Sequence, residues 1–304
     1  MYVTGVAYDM EQVLSALYEA AQSAGWTLDG DILSNNGCFC SVTAPSFEDR
    51  LVFQSSTDEL GTSMSLANQS VVTMWPQVYH LFLSDSAIPY VYVVLTTEEA
   101  DRCQVAGFGM IENQVGGWTG GNWSFSPMNG EQIYPSKMGA VLVPEGDGWY
   151  SEGLSHYATS ILPFWVTHNT GVESSNSSIY CDLDGDSWCN GEYSDDDLIT
   201  RHVYIAPAIA DLLRTSFSWQ SSPFLVTPYL YKQRADRKFS LLGNLPGLRL
   251  VRMEGFSNGK VVKLGNDRWM LFFAREQDGW DVDGTLSWLG STGMIGYAIK
   301  YDGP

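Results

Sequence analysis

Hydrophobic positions along this chain follow two spacings. Over residues 9–24, DMEQVLSALYEAAQSA, the residues Val13, Leu14, Leu17, Tyr18 and Ala21 recur three and four apart, which gives a helix one apolar face. Asp9 is placed to cap that helix, Gln12 sits where a capping box reaches back to the cap, and Gly25 ends it. After Trp26 the spacing becomes two. CFCSVTA (38–44), LVFQSST (51–57), SMSLANQ (63–69) and YHLFLS (79–84) read as strands. YVYVVLTT (90–97) is β-branched and aromatic throughout, the composition of a strand buried on both faces, and it should pair with QVAGFGMI (104–111) across the acidic turn 98–101.

Residues 112–150 lose the alternation and read as Gly-, Trp- and Asn-rich loops, the kind of long loop that carries function or an interface. Strands resume at TRHVYIA (200–206) and FLVTPYLY (224–231), with a short helix expected over 207–215. LRLVRME (248–254), GKVVKL (259–264), RWMLFFA (268–274) and GMIGYAIKY (293–301) complete the set, with GND (265–267) as a tight hairpin connector. The pattern predicts a mainly β, α+β protein in which an N-terminal αβ unit precedes antiparallel sheets packed in a sandwich. Three regions are expected: an αβ unit over 1–111, a loop-rich middle over 112–198, and a β region over 199–304.

Composition narrows the function classes. A net charge of −19 argues against nucleic-acid binding, which needs Lys and Arg against phosphates, and against an anionic membrane surface. The charge is uneven: residues 1–150 carry net −14 and residues 151–304 net −5, so two unlike halves can dock head to tail. No run reaches the roughly 18 apolar residues that span a bilayer. The opening MYVTGVAYDMEQ lacks a basic region followed by an apolar run, which implies synthesis and folding in cytoplasm. Five cysteines, an odd number, do not read as a disulfide framework.

One stretch invites a specific chemistry. In IYCDLDGDSWCNGEYSDDD (179–197), Asp182, Asp184 and Asp186 alternate as in a calcium loop, but Ser187 stands where an EF-hand needs Gly and Tyr193 where it needs Glu. A hairpin fits better. With DGD (184–186) as its loop, Leu183 faces Ser187 and Cys181 faces Cys189, close enough for a disulfide in an oxidising setting. The stretch therefore reads as an exposed acidic hairpin with a possible disulfide Cys181–Cys189 and no catalytic role.

His80, His156, His168 and His202 fall in no zinc spacing, and no nucleophile or phosphate-loop motif is present. Paired carboxylates are plentiful, but carboxylate spacing along a chain does not place two of them across a sugar cleft, so a glycosidase is the least supported class. No cofactor is implied. The 11 tryptophans and 16 tyrosines leave core packing, protein interfaces and sugar stacking open. Trp118, Trp123, Trp149 and Tyr150, in the loop-rich region, are the interface candidates. A carbohydrate- or receptor-binding module built on the same loops is the alternative.

The order of segments resembles a group of virion structural proteins from tailed bacteriophages. The opening VTGVAYDMEQVLSALYEAAQSAGWTLDGD (3–31), the segment SDSAIPYVYVVLTTEEADRCQVAGFGM (84–110) and LPGLRLVRMEGFSNGKVVKLGNDRWMLFFA (245–274) with GMIGYAIKY at the end carry the likeness. The acidic hairpin and EQDGWDVDGT (276–285) depart from it. The resemblance implies a non-enzymatic part of a tail, baseplate or neck, present in several copies or a ring, contacting other virion proteins and bringing no catalytic residues. It places the protein in the virion after synthesis in the host cytoplasm.

Overall fold

The computed structural model describes residues 1–46, 49–65, 68–71, 75–84, 86–97, 103–126, 164, 177–190, 203–205, 223–234, 238–253, 255–273 and 295–304. Among these residues the chain is mostly strand with a single α-helix. β1 (Tyr2–Ala7) leads into α1 (Met10–Ser23). Asp9 caps the helix as its sequence implies, accepting from Gln12 N at 2.8 Å, while the Gln12 side chain accepts from Tyr8 N at 3.1 Å. Then β2 (Thr27–Asp29), β3 (Ile32–Asn35), β4 (Cys38–Thr43), β5 (Arg50–Ser56) and β6 (Asn68–Val71) form sheet B in sequence order.

Sheet A has seven strands. It runs from β1 through β7 (Gln77–Leu83), β8 (Tyr90–Thr97), β9 (Cys103–Met110), β10 (Gly120–Phe125) and β11 (Ser177–Cys181) to β12 (Trp188–Asn190). Sheet C joins β13 (Val203–Ile205), β15 (Tyr229–Gln233) and β16 (Phe239–Asn244). Sheet D has the order β14 (Leu225–Val226), β17 (Leu248–Arg252), β20 (Ile295–Lys300), β19 (Asp267–Phe273) and β18 (Lys260–Leu264). Every pairing in the four sheets is antiparallel.

Sheet A is the middle of three layers, and its alternation shows why. Along β8, Val91, Val93 and Leu95 join one core, with α1 and sheet B; Tyr90, Tyr92 and Val94 join the other, with sheets C and D. β7 divides in the same way, Leu81 and Leu83 against Phe82. A strand buried on both faces has no polar face to offer, so YVYVVL is apolar without a break. The expected pairing of β8 with β9 is present, Tyr92 opposite Gly107 and Val94 opposite Val105. A third cluster, with Val251, Met253, Trp269, Leu271 and Ala298, lies on the other side of sheet D.

Two glycines of β9 make room for the largest rings. A Cβ on Gly107 would stand 2.6 Å from the Tyr92 ring, and one on Gly109 would stand 2.9 Å from the Trp123 ring. Tyr92 and Trp123 have ring centroids 5.7 Å apart, and Trp123 stacks on Phe125 at 5.9 Å. The Tyr92 hydroxyl donates to Pro246 O at 2.7 Å and so ties the middle layer to the C-terminal one.

The segment expected as loop over 112–150 contains β10, a strand inside sheet A. The boundary expected at 111 accordingly falls between β9 and β10, two neighbours in one sheet. The helix expected over 207–215 lies outside the described residues.

Candidate assembly surfaces

Four of the candidate residues are in the described structure, and none is an exposed loop anchor. Trp123 is 0% exposed on β10, and Trp118 is 5% exposed, its indole donating to Val115 O at 2.9 Å. Both are core residues of the A–C–D side, which corrects their reading as surface anchors and removes them as a sugar-stacking platform. The reason is local: Gly116, Gly117, Gly120 and Gly121 obscured the strand period here, while Gly109 of β9 leaves the room into which the Trp123 ring packs. Trp149 and Tyr150 lie outside the described residues.

The acidic stretch is a hairpin of β11 and β12, but in a register different from the expected one. Ile179 faces Cys189 and Tyr180 faces Trp188, while Cys181 N donates to Ser187 O at 2.8 Å. Cys181 and Cys189 are therefore diagonal rather than opposed. The loop is wider than DGD and holds a 3-10 turn at Leu183–Gly185, with Asp184 at φ 62° and Gly185 at φ 76°.

Partners far along the chain explain the wider turn. Asp182 accepts from Thr119 N at 2.7 Å and from its hydroxyl at 2.6 Å, which holds the Asp182 carboxyl below the usual range. Asp184 takes a two-point contact from the Arg234 guanidinium, with Nε at 2.6 Å. Asp186 accepts from Lys232 Nζ at 2.6 Å, and that lysine side chain is 0% exposed. All three aspartates that suggested a calcium loop thus bond to groups of this chain. Among the described residues no group of three or more His, Cys, Asp or Glu is placed to hold a metal ion.

Both cysteines of the hairpin are buried free thiols. The Cys189 thiol hydrogen-bonds Cys181. That bond, helped by Lys232, holds Cys181 below its ordinary value, while the same bond and burial push Cys189 up. Between sheets A and D, His80 Nδ1 lies 2.7 Å from the Tyr2 hydroxyl, and the imidazole packs against Phe272 at 5.3 Å. Burial lowers the His80 pKa to about 4, so the ring is neutral near pH 7.

The surfaces that face outward are the two outer layers. Along β15 the inward residues are Leu230 and Lys232, and the outward ones are Tyr229, Tyr231 and Gln233. Tyr231 lies opposite Leu241 and Gln233 opposite Phe239 across sheet C. Tyr229 is 43% and Phe239 60% exposed, so this sheet presents aromatic area to solvent. On sheet D, Arg249 lies over the Trp269 ring at 5.0 Å, Lys300 pairs with Asp267 at 3.1 Å, and Lys260 and Lys263 are exposed on the edge strand β18. Sheet C thus presents aromatic area on its solvent side, whereas the outer side of sheet D carries the buried cluster of Val251, Met253, Trp269, Leu271 and Ala298. Alternation within YLYKQ (229–233) carried this face, but the sequence does not tell which alternate set points outward.

No protein family matches the chain, and no curated protein matches it.

Proposed function

We propose that this protein is a structural component of a tailed-phage virion, in the tail, baseplate or neck, present in several copies and working through protein–protein contacts. The observation that carries the reading is the solvent-facing side of the C–D layer, where Tyr229 and Phe239 stand exposed on a sheet whose inner side is locked to the acidic hairpin. Tyr is among the residues that interface hot spots favour, and a sheet anchored by ion pairs to the hairpin presents Tyr229 without loop-ordering cost. The order of segments, which resembles phage virion proteins, supports the same reading. In it the partners are other virion proteins and further copies of this chain, neither a membrane nor a nucleic acid is bound, and no reaction is catalysed.

Inactivating the gene in the phage that encodes the protein tests this. The reading expects particles that stop at a defined incomplete stage, completed when purified protein is added. Complete, infectious particles formed without it would overturn the reading.

A further inference from the structure

Sheet A ends on β1, and this edge lacks the features that keep sheet edges apart. Among the described residues β1 pairs only with β7, and its other side faces outward. The pairing runs from Tyr2 opposite Phe82 to Ala7 opposite Gln77 without a shift, so no bulge turns the edge away. YVTGVA carries no charge and no proline. By contrast the edge strand β18 of sheet D bears the exposed Lys260 and Lys263, and the edge strands β2, β12, β13 and β14 have three residues or fewer.

The hydrogen bonds of β7 fix which groups of β1 point outward. Met1 and Leu83 exchange two bonds, at 2.7 and 2.9 Å, and on the far side of β7 Ser84 N donates to Tyr90 O at 3.0 Å. Antiparallel bonding alternates, so Val3, Gly5 and Ala7 turn their N–H and C=O groups to β7, and Tyr2, Thr4 and Val6 turn theirs outward. The outward series stops at Tyr8, whose N–H is taken by the Gln12 side chain at 3.1 Å. Tyr2, Thr4 and Val6 also share a side-chain face, on which Thr4 and Val6 are exposed and Tyr2 packs against Phe82 and Tyr301.

We propose that two copies of this chain join through β1, antiparallel, about a twofold axis at Thr4. This rests on the multi-copy structural reading above and names one partner within it. The occupant is a second copy because the outward series is its own complement. With Thr4 opposite the second copy's Thr4, Tyr2 falls opposite Val6 and Val6 opposite Tyr2, and the three donors and three acceptors of each copy are all met. The contact strand is uncharged, so two molecules of net charge −19 meet where neither presents charge. Directly opposed side chains lie on one face, so the exposed Val6 of each copy is covered by the other's Tyr2. The two sheets A become one sheet. Sheet C is bonded to the β11–β12 hairpin at the far end of sheet A, outside this contact, and stays open to the further contacts proposed above.

Sedimentation of the full chain tests the pairing. It is run on the native chain and on a Tyr229→Ser, Phe239→Ser variant, which takes contacts through sheet C out of the measurement. A single strand pair is a small contact, so concentrations extend to about 0.1 mM. Both chains are expected to show a two-chain species in that range. Thr4→Lys and Thr4→Glu each set like charges face to face on the axis and should raise its Kd about fivefold at low salt, while an equimolar mixture of the two should recover a one-to-one pair. Thr4→Val loses the same hydroxyl bond to Tyr79 O but adds no charge, and should pair as its parent does. Each variant is checked for folding by circular dichroism. Chains that stay monomeric up to about 0.1 mM overturn the proposal. So does pairing that Thr4→Lys leaves unchanged, or that the mixture fails to restore. None of these outcomes decides whether the protein belongs to a particle, which the inactivation experiment reads separately.

Discussion

Lys232 is the residue whose burial asks most of its surroundings. An ammonium out of water is tolerated because Asp186 lies 2.6 Å away and Asp184 3.7 Å away. Lys232→Met should cost about 3–5 kcal/mol by urea unfolding, because it leaves Asp186 buried without its cation. Adding Asp186→Leu should recover most of that loss; no recovery would mean the lysine stem, not its charge, holds the sheets together. His80 sets a pH window. The unfolded chain takes up a proton near pH 6.5 and the folded chain only near 4, so the unfolded state binds more protons between those values. Stability is therefore full above about pH 6.5 and falls on acidification toward pH 4, by at most about 3 kcal/mol at 1.36 kcal/mol per pH unit. In His80→Gln that slope should flatten in pH-dependent denaturation curves. Trp123 is wholly buried between Tyr92 and Phe125, so Trp123→Ala should cost about 3–5 kcal/mol in the same assay.

Elements differ in how far the sequence disclosed them. α1 was legible because its cap, apolar face and terminating Gly25 are all local, and each is found in place. β8 was legible because a strand buried on both faces must be apolar throughout. The hairpin was legible as an element and not in register. Its turn is set by Thr119, Lys232 and Arg234, which lie 63, 46 and 50 residues from the aspartates they bind. β10 was hidden because Gly116, Gly117, Gly120 and Gly121 break the alternation, and the fit of Gly120 against Tyr180 and of Gly121 against Ile111 exists only once the neighbouring strands lie alongside. Sheet C offers a direct test of its outward face. Tyr229→Ser with Phe239→Ser should change stability by no more than about 0.5 kcal/mol for each site, the range of surface substitutions, while weakening self-association in sedimentation. A large loss of stability would assign those rings to the core.

At the scale of the whole molecule, three layers with a doubly buried middle sheet make a stiff block that presents exposed aromatic side chains on sheet C. Sequence disclosed the asymmetry of charge as a difference between halves of the chain. Folding places strands from the more acidic part on one side of sheet A and strands from the less acidic part on the other. Such a block suits repetition, which is why assembly rather than chemistry is the central claim. Quantitative mass spectrometry of purified particles tests that claim most directly. The account predicts this chain in every preparation, at a fixed ratio of several copies per particle that survives stringent washing. Its absence from the particles, or an amount that varies between preparations and washes away, would contradict it.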